Sequence, residues 1–124
     1  MSAPLFIRKV VTGYGADHHG LDIDLHTTTT DTLIERIRYH GTAYDSLAGE
    51  IVVWLTPPAA GIDYPARSVQ LAANTYAVSG YLQGEIRLDL PLPTGWTIAV
   101  QHTLQQPGPF NFTMAFILDG GELG

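Results

Sequence analysis

At 124 residues the chain is the size of one ordinary domain, long enough to bury roughly two-thirds of the surface its unfolded form would expose. It contains no cysteine, which excludes a disulfide framework and a thiolate metal site. Six basic against twelve acidic residues give a formal charge of −6, which opposes nucleic acid and anionic membranes as partners unless the cations cluster, and along the chain they do not: Arg8 and Lys9 adjoin, Arg36 and Arg38 share one strand face, and Arg67 and Arg87 stand alone.

The opening MSAPLFIRKVV lacks the basic start and long apolar stretch of a secretory signal, and no apolar run approaches the ~20 residues of a membrane span. The expectation is a soluble protein that stays where it is made, or one built into a larger particle. Thirteen glycines and eight prolines punctuate short segments rich in Ile, Val, Leu, Thr, Tyr, Phe and Trp, a pattern of β-strands rather than helices. Eight such segments are predicted: residues 5–12, 21–26, 33–40, 50–56, 67–74, 84–90, 96–103 and 110–118.

The first segment carries Leu5, Phe6, Ile7, Val10 and Val11, an apolar stretch that either closes its own sheet or adds to a neighbouring subunit. In the second, strict alternation places Asp22, Asp24 and His26 on one polar face of an edge strand. The third tempts a helix through Leu33, Ile34 and Ile37. Gly41 closes it too soon, however, and the four threonines before it favour extended backbone, so a strand is predicted with Arg36, Arg38 and His40 on one face.

The fourth segment, with Ile51, Val52, Val53, Trp54 and Leu55, is apolar on both parities: a central strand covered on both sides, or one whose outer face meets another subunit. In the sixth, Ile86, Leu88 and Leu90 alternate with Glu85, Arg87 and Asp89. It runs into Pro91-Leu92-Pro93-Thr94-Gly95, read as a tight reversal that makes a hairpin with the seventh segment, whose apolar parity is Trp96, Ile98, Val100 and His102. The last carries Phe112, Met114, Phe116 and Leu118 on its core side.

Eight short antiparallel strands predict an all-β, eight-stranded antiparallel sandwich of jelly-roll type, formed by residues 1–124 as a single domain. Lipocalin-like and immunoglobulin-like arrangements use similar strand counts. No linker, internal repeat or second domain is visible.

Few residues invite chemistry. Asp17, His18, His19, Asp22, Asp24 and His26 are ligand types a transition metal accepts, but they lack a recurring metal-site spacing, so a solvated turn and edge strand is the expectation and no metal or cofactor is assigned. Asp22 or Asp24 with Glu50 or Glu85 would be the carboxylate pair of a glycosidase only at a separation that sequence does not fix. Ser46, Ser68 and Ser79 lie in no nucleophile elbow, and Gly13-Tyr14-Gly15 lacks the third glycine of a phosphate loop. A non-enzymatic binding or structural module is therefore expected. Tyr44, Tyr64, Tyr76 and Tyr81 fall in or near loops, as ligand contacts or interface anchors.

Four pieces carry a family resemblance: TTTTDTLIERIRYHGT (27–42), VVWLTP (52–57), IRLDLPLPTGWTI (86–98) and AFILDGGEL (115–123). Through them the chain resembles small β-sandwich structural proteins of tailed phages and prophages, of the head decoration or cement kind, most of them uncharacterised. The resemblance covers a sandwich body from residue 27 to 124 and leaves the N-terminal strands and turn, 1–26, outside it. It implies a virion component on the capsid surface, bound to the major capsid protein at symmetry axes and often trimeric. The alternative is a carbohydrate-binding or adhesin-like module of a tail or fibre. The expected contacts between subunits or with the particle are Leu5, Phe6, Ile7, Tyr44, Trp54 and Tyr64.

Overall fold

The computed structural model describes residues 3–14, 20–58, 69–104 and 110–123. They form six antiparallel strands: β1 (Ala3–Tyr14), β2 (Gly20–Thr27), β3 (Thr32–Thr56), β4 (Val69–Leu92), β5 (Thr97–Leu104) and β6 (Phe110–Glu122). All eight predicted segments are present. The third and fourth are the two halves of β3, and the fifth and sixth are the two halves of β4, each strand running unbroken from one sheet into the other.

The first sheet has the order β1, β6, the first half of β3, and the second half of β4. The second has the first half of β4, the second half of β3, then β5 and β2. The remaining connections, β1 to β2, β2 to β3, β4 to β5 and β5 to β6, each cross between the sheets, which makes an all-β sandwich of jelly-roll topology. β1 pairs with β6 of its own chain, so the apolar N-terminal stretch closes its own sheet.

The core lies between the sheets. Ile34, Ile37, Met114, Phe116 and Leu118 from the first sheet meet Ile51, Val53, Ile98 and Val100 from the second, and all are essentially free of solvent. Val52, on the opposite parity of β3, is also buried, and Trp54 beside it is half-buried.

Three departures from simple alternation or pairing shape the surfaces. Between Ile34 and Arg36, β3 holds one more residue than β6, and this bulge explains why Ile34 and Ile37, three apart, both face the core. The helix-like spacing at this point is a bulged strand. The facing stretch of β4 accommodates the shift with Asp89 in a left-handed conformation (φ 47°), which Asp tolerates better than most residues. A second bulge between Asp24 and His26 leaves Asp24 exposed and Leu25 in the core as expected but changes the place of His26: it comes opposite Ile98, half-buried, with its Nε2 buried without a hydrogen-bond partner.

The third departure concerns the connection after β4. No hairpin forms between β4 and β5; β4 pairs with β3 alone, while β5 pairs with β2 and β3. The two prolines cannot donate ladder bonds, and Gly95 (φ 94°) turns the chain across to the other sheet. The threonine-rich segment pins this crossing. Buried Thr28 donates its hydroxyl to the Pro93 carbonyl at 2.6 Å and accepts from the Trp96 amide at 3.1 Å. Asp31 accepts from the amide and hydroxyl of Thr94, each at 3.2 Å.

Phe116 is fully buried at the centre of the core. Phe116→Ala is expected to destabilise the fold by about 3–5 kcal/mol, through lost transfer energy and the cavity left behind. Urea unfolding monitored by tryptophan fluorescence measures this, and a loss under about 1 kcal/mol would place the ring outside the core.

Candidate functional site

The outer face of the first sheet gathers polar side chains in rows set by strand register. Across β1, β6, β3 and β4 the rows read Phe6–Asp119–Arg36–Arg87, then Arg8–Ile117–Arg38–Glu85, then Val10–Ala115–His40–Gln83, and Thr12–Thr113–Thr42–Tyr81. Arg8 of β1, Arg36 and Arg38 of β3 and Arg87 of β4 thus share one face. The expectation of scattered cations is corrected by strand pairing, which sets Arg36 opposite Arg87 and places Arg8 and Arg38 on either side of Ile117.

Carboxylates offset this charge. Asp119 accepts from Arg38 Nε at 2.7 Å and from Arg36 Nε at 3.1 Å, and a second Asp119 oxygen accepts from Arg38 at 3.1 Å. Burial pushes the Asp119 carboxyl up, but the hydrogen bonds from Arg38 and Arg36 outweigh it and hold the group below the usual carboxylate range. Arg36 also reaches Glu85 at 3.3 Å, and Arg87 pairs with Asp89 at 3.1 Å. Arg8 has no ion-pair partner among the described residues.

A groove of about 520 Å³ lies over the third and fourth strands of this face, bounded by Arg38, His40, Tyr81, Gln83 and Glu85, with Ile117 in its floor. A smaller recess of about 130 Å³ continues past His40 and Tyr81 to Arg8 and Val10 on β1, floored by Ala115. Ala115 and Ile117 are buried although their parity faces outward, while the Tyr81 ring is 58% exposed.

The outer face of the second sheet is of another kind. Its strand segments carry no Lys or Arg, and its middle is Val52, Trp54, Ala73 and Ala99, with Trp54 Nε1 donating to Gln101 Oε1 at 3.1 Å. The acidic residues of its strands are Asp22, Asp24 and Glu50.

Of the residues singled out in the sequence, Leu5 is in the core, Ile7 packs against it, and Phe6 stands out at 59% exposure. Trp54 lies mid-face on the second sheet. Tyr64, Asp17, His18, His19 and Ser68 lie outside the described residues, as do the side chains of Tyr44, Ser46 and Ser79. Glu85 belongs to the first sheet and Asp22, Asp24 and Glu50 to the second, so the paired carboxylates considered across the two sheets are not brought together. Among the described residues no three His, Asp or Glu side chains converge as a metal site would need.

His102, on the apolar parity of β5, is fully buried. It stacks on Tyr76 with centroids 5.6 Å apart, shares a hydrogen bond through Nε2 with the Tyr76 hydroxyl, and meets Phe116 edge-on at 6.3 Å. A Cβ at Gly49 would sit 2.7 Å from that hydroxyl, so glycine there makes room for the tyrosine. Burial lowers the His102 pKa from 6.5 to about 4.

No family model matches the chain, and neither does any curated protein. Among solved structures it is similar to TmCBM61, a carbohydrate-binding module in complex with β-1,4-galactotriose, at 12% identity over 96% of this chain and 67% of that one, with a TM-score of 0.41. It is also similar to a chain of infectious bursal disease virus, Gx strain, at 12% identity over 98% of this chain and 36% of that one, TM-score 0.40. A third likeness is to Desmodium yellow mottle tymovirus, at 5% identity over 100% of this chain and 91% of that one, TM-score 0.37.

The state of His102 makes stability depend on pH. Folded, the imidazole is neutral down to about 4, whereas unfolded it takes up a proton near 6.5. The unfolded chain therefore binds more protons between these values, and stability is complete above about 6.5 and falls as the pH drops toward 4, by up to ~1.4 kcal/mol per pH unit. Urea midpoints measured from pH 7 to pH 4.5 should fall more steeply for the parent protein than for His102→Leu. Equal slopes would mean that His102 takes up its proton at the same pH folded and unfolded.

Proposed function

We propose that the protein is a non-enzymatic structural component of a phage virion, a decoration protein that attaches to the major capsid protein on the outside of the head. The observation that carries this reading is the division of charge between the two outer faces. The strands of the first sheet hold five basic and five acidic residues, whereas those of the second hold three acidic residues and none that is basic, with Asp45 of β3 at the crossing between the two. The middle of the second face is made of Val52, Trp54, Ala73 and Ala99.

A face of short side chains around one tryptophan, bare of lysine and arginine, suits close contact with a neutral or basic surface of a shell. Trp54, whose indole is held by Gln101, is its anchor. Attachment in many copies would leave the first sheet pointing away from the particle. The matching segments 27–42, 52–57, 86–98 and 115–123 support the phage setting, and 52–57 contains the anchor itself.

Self-association at a three-fold axis belongs to the same proposal. β1 is an edge strand, paired with β6 alone, and its Phe6 is 59% exposed, which gives copies an open edge and an apolar contact.

Electron microscopy of purified virions is expected to show density for the protein at symmetry axes of the head, and its absence from virions would overturn the proposal. Trp54→Arg is expected to abolish binding to capsids that lack the protein, read by co-sedimentation, while leaving the circular dichroism spectrum unchanged. In sedimentation at micromolar concentration the parent protein should run as a trimer. A monomer would remove the self-association claim, and a dimer would reject three-fold placement.

A further inference from the structure

The groove on the outer face of the first sheet is built from groups that the fold itself does not use. The side chains of His40 and Gln83 and the Tyr81 hydroxyl make no hydrogen bond to other described residues, although each faces the groove or its continuation. Arg38 and Glu85 stand at one end with their charges already engaged, by Asp119 and Arg36 respectively. Tyr81 stands at the other end, its ring more than half exposed. We propose that this groove binds an oligosaccharide, with Tyr81 as the platform for one sugar ring and His40, Gln83, Arg38 and Glu85 as the groups that read its hydroxyls.

The chemistry favours this class of ligand. A sugar ring offers an apolar C–H face and a rim of hydroxyls that both donate and accept. A tyrosine ring meets the first need with little entropy to lose. An amide, an imidazole, a guanidinium and a carboxylate supply donors and acceptors together, which is what vicinal hydroxyls require. A floor of Ala115 and Ile117 allows close approach, because no long side chain rises from the two positions between Arg8 and Arg38 or between Val10 and His40.

The dimensions point to an oligomer. The main groove and its continuation to Arg8 and Val10 share His40 and Tyr81 and cross all four strands of the sheet. With neighbouring strands ~4.8 Å apart, the path is roughly 14 Å long, enough for more than one sugar unit.

Other ligands fit less well. A peptide that adds a strand needs an open sheet edge, whereas the groove lies on a face whose middle strands have both neighbours in place. A nucleic acid would need unpaired cations, and Arg36, Arg38 and Arg87 are each held by a carboxylate. Arg8, at the far end, adds one cation that an acidic sugar would engage and a neutral one would not.

A glycan array carrying neutral oligosaccharides of galactose, glucose and mannose, with uronate-containing oligosaccharides beside them, tests the proposal on the purified full chain. The parent protein is expected to bind at least one of them, and titration calorimetry with that oligosaccharide should give a tenfold or greater weakening in Tyr81→Ala and in Gln83→Ala. Both residues are on the surface, so the thermal midpoint should not move. Arg8→Ala should weaken binding of uronate-containing oligosaccharides alone. Failure to bind any oligosaccharide on the array would overturn the proposal, as would binding that survives Tyr81→Ala unchanged. Trp54→Arg, on the opposite face, should leave glycan binding intact, so this result stands or falls separately from attachment to a capsid.

Discussion

The ladder between β3 and β4 is the constraint on which the rest of the molecule depends. These two strands pair from Thr32 opposite Leu92 to Leu55 opposite Val69 and pass through both sheets, so neither sheet exists without the other. Each half of β3 is then flanked on its other side, by β6 in the first sheet and by β5 in the second. A register slip anywhere along this ladder would move every outward side chain beyond it to the opposite face. The shifts that do occur are localised at Ile34/Arg36, Thr42/Ser46 and Val53/Trp54. The first of them keeps Ile34 and Ile37 in the core together while Arg36, Arg38 and His40 stay outside.

The same strand therefore supplies the working residues of both outer faces. Its first half presents Arg38 and His40 to the groove, and its second half carries Val52 and Trp54 on the acidic face. Between the two, the core holds the buried imidazole of His102 against Tyr76 and Phe116. A neutral histidine in that place satisfies the tyrosine hydroxyl without bringing a charge into the interior, which would cost several kcal/mol if unpaired. The charged chemistry is displaced entirely to the surface, and within the surface to the first sheet.

Much of the fold was legible because strands announce themselves through period-two alternation, and β5 and β6 follow it closely: Ile98, Val100 and His102, and Met114, Phe116 and Leu118, are all buried as their parity predicts. What failed was local or long-range in a way alternation does not record. The bulge at Leu25 shifted His26 to a place opposite Ile98, and nothing in LDIDLH distinguishes a bulged strand from a regular one. The prolines after β4 did mark a reversal, but whether a reversal makes a hairpin or crosses to another sheet depends on which strands are already paired, and β3 had claimed β4. The groove was half legible. The shared face of Arg36, Arg38 and His40 follows from parity, as does that of Glu85 and Arg87, yet the registers that set Arg38 between Ile117 and Glu85 span long separations in sequence.

Charge is the clearest case of a property that the linear order hides. Counted along the chain, six cations are scattered among twelve anions and suggest a uniformly acidic surface. Folded, five of the six fall on the strands of the first sheet, where carboxylates of β4 and β6 lie opposite arginines of β3, and the excess negative charge is left to the second sheet and the connections. The ion pairs themselves add little stability, being partly solvated. Their consequence is geometric: by holding Arg36 and Arg38 toward Asp119, they fix the guanidinium groups at one side of the groove and leave its centre, at His40 and Gln83, open. A sheet face with four arginines would otherwise attract any polyanion. With three of them neutralised by neighbours, most of that attraction is removed.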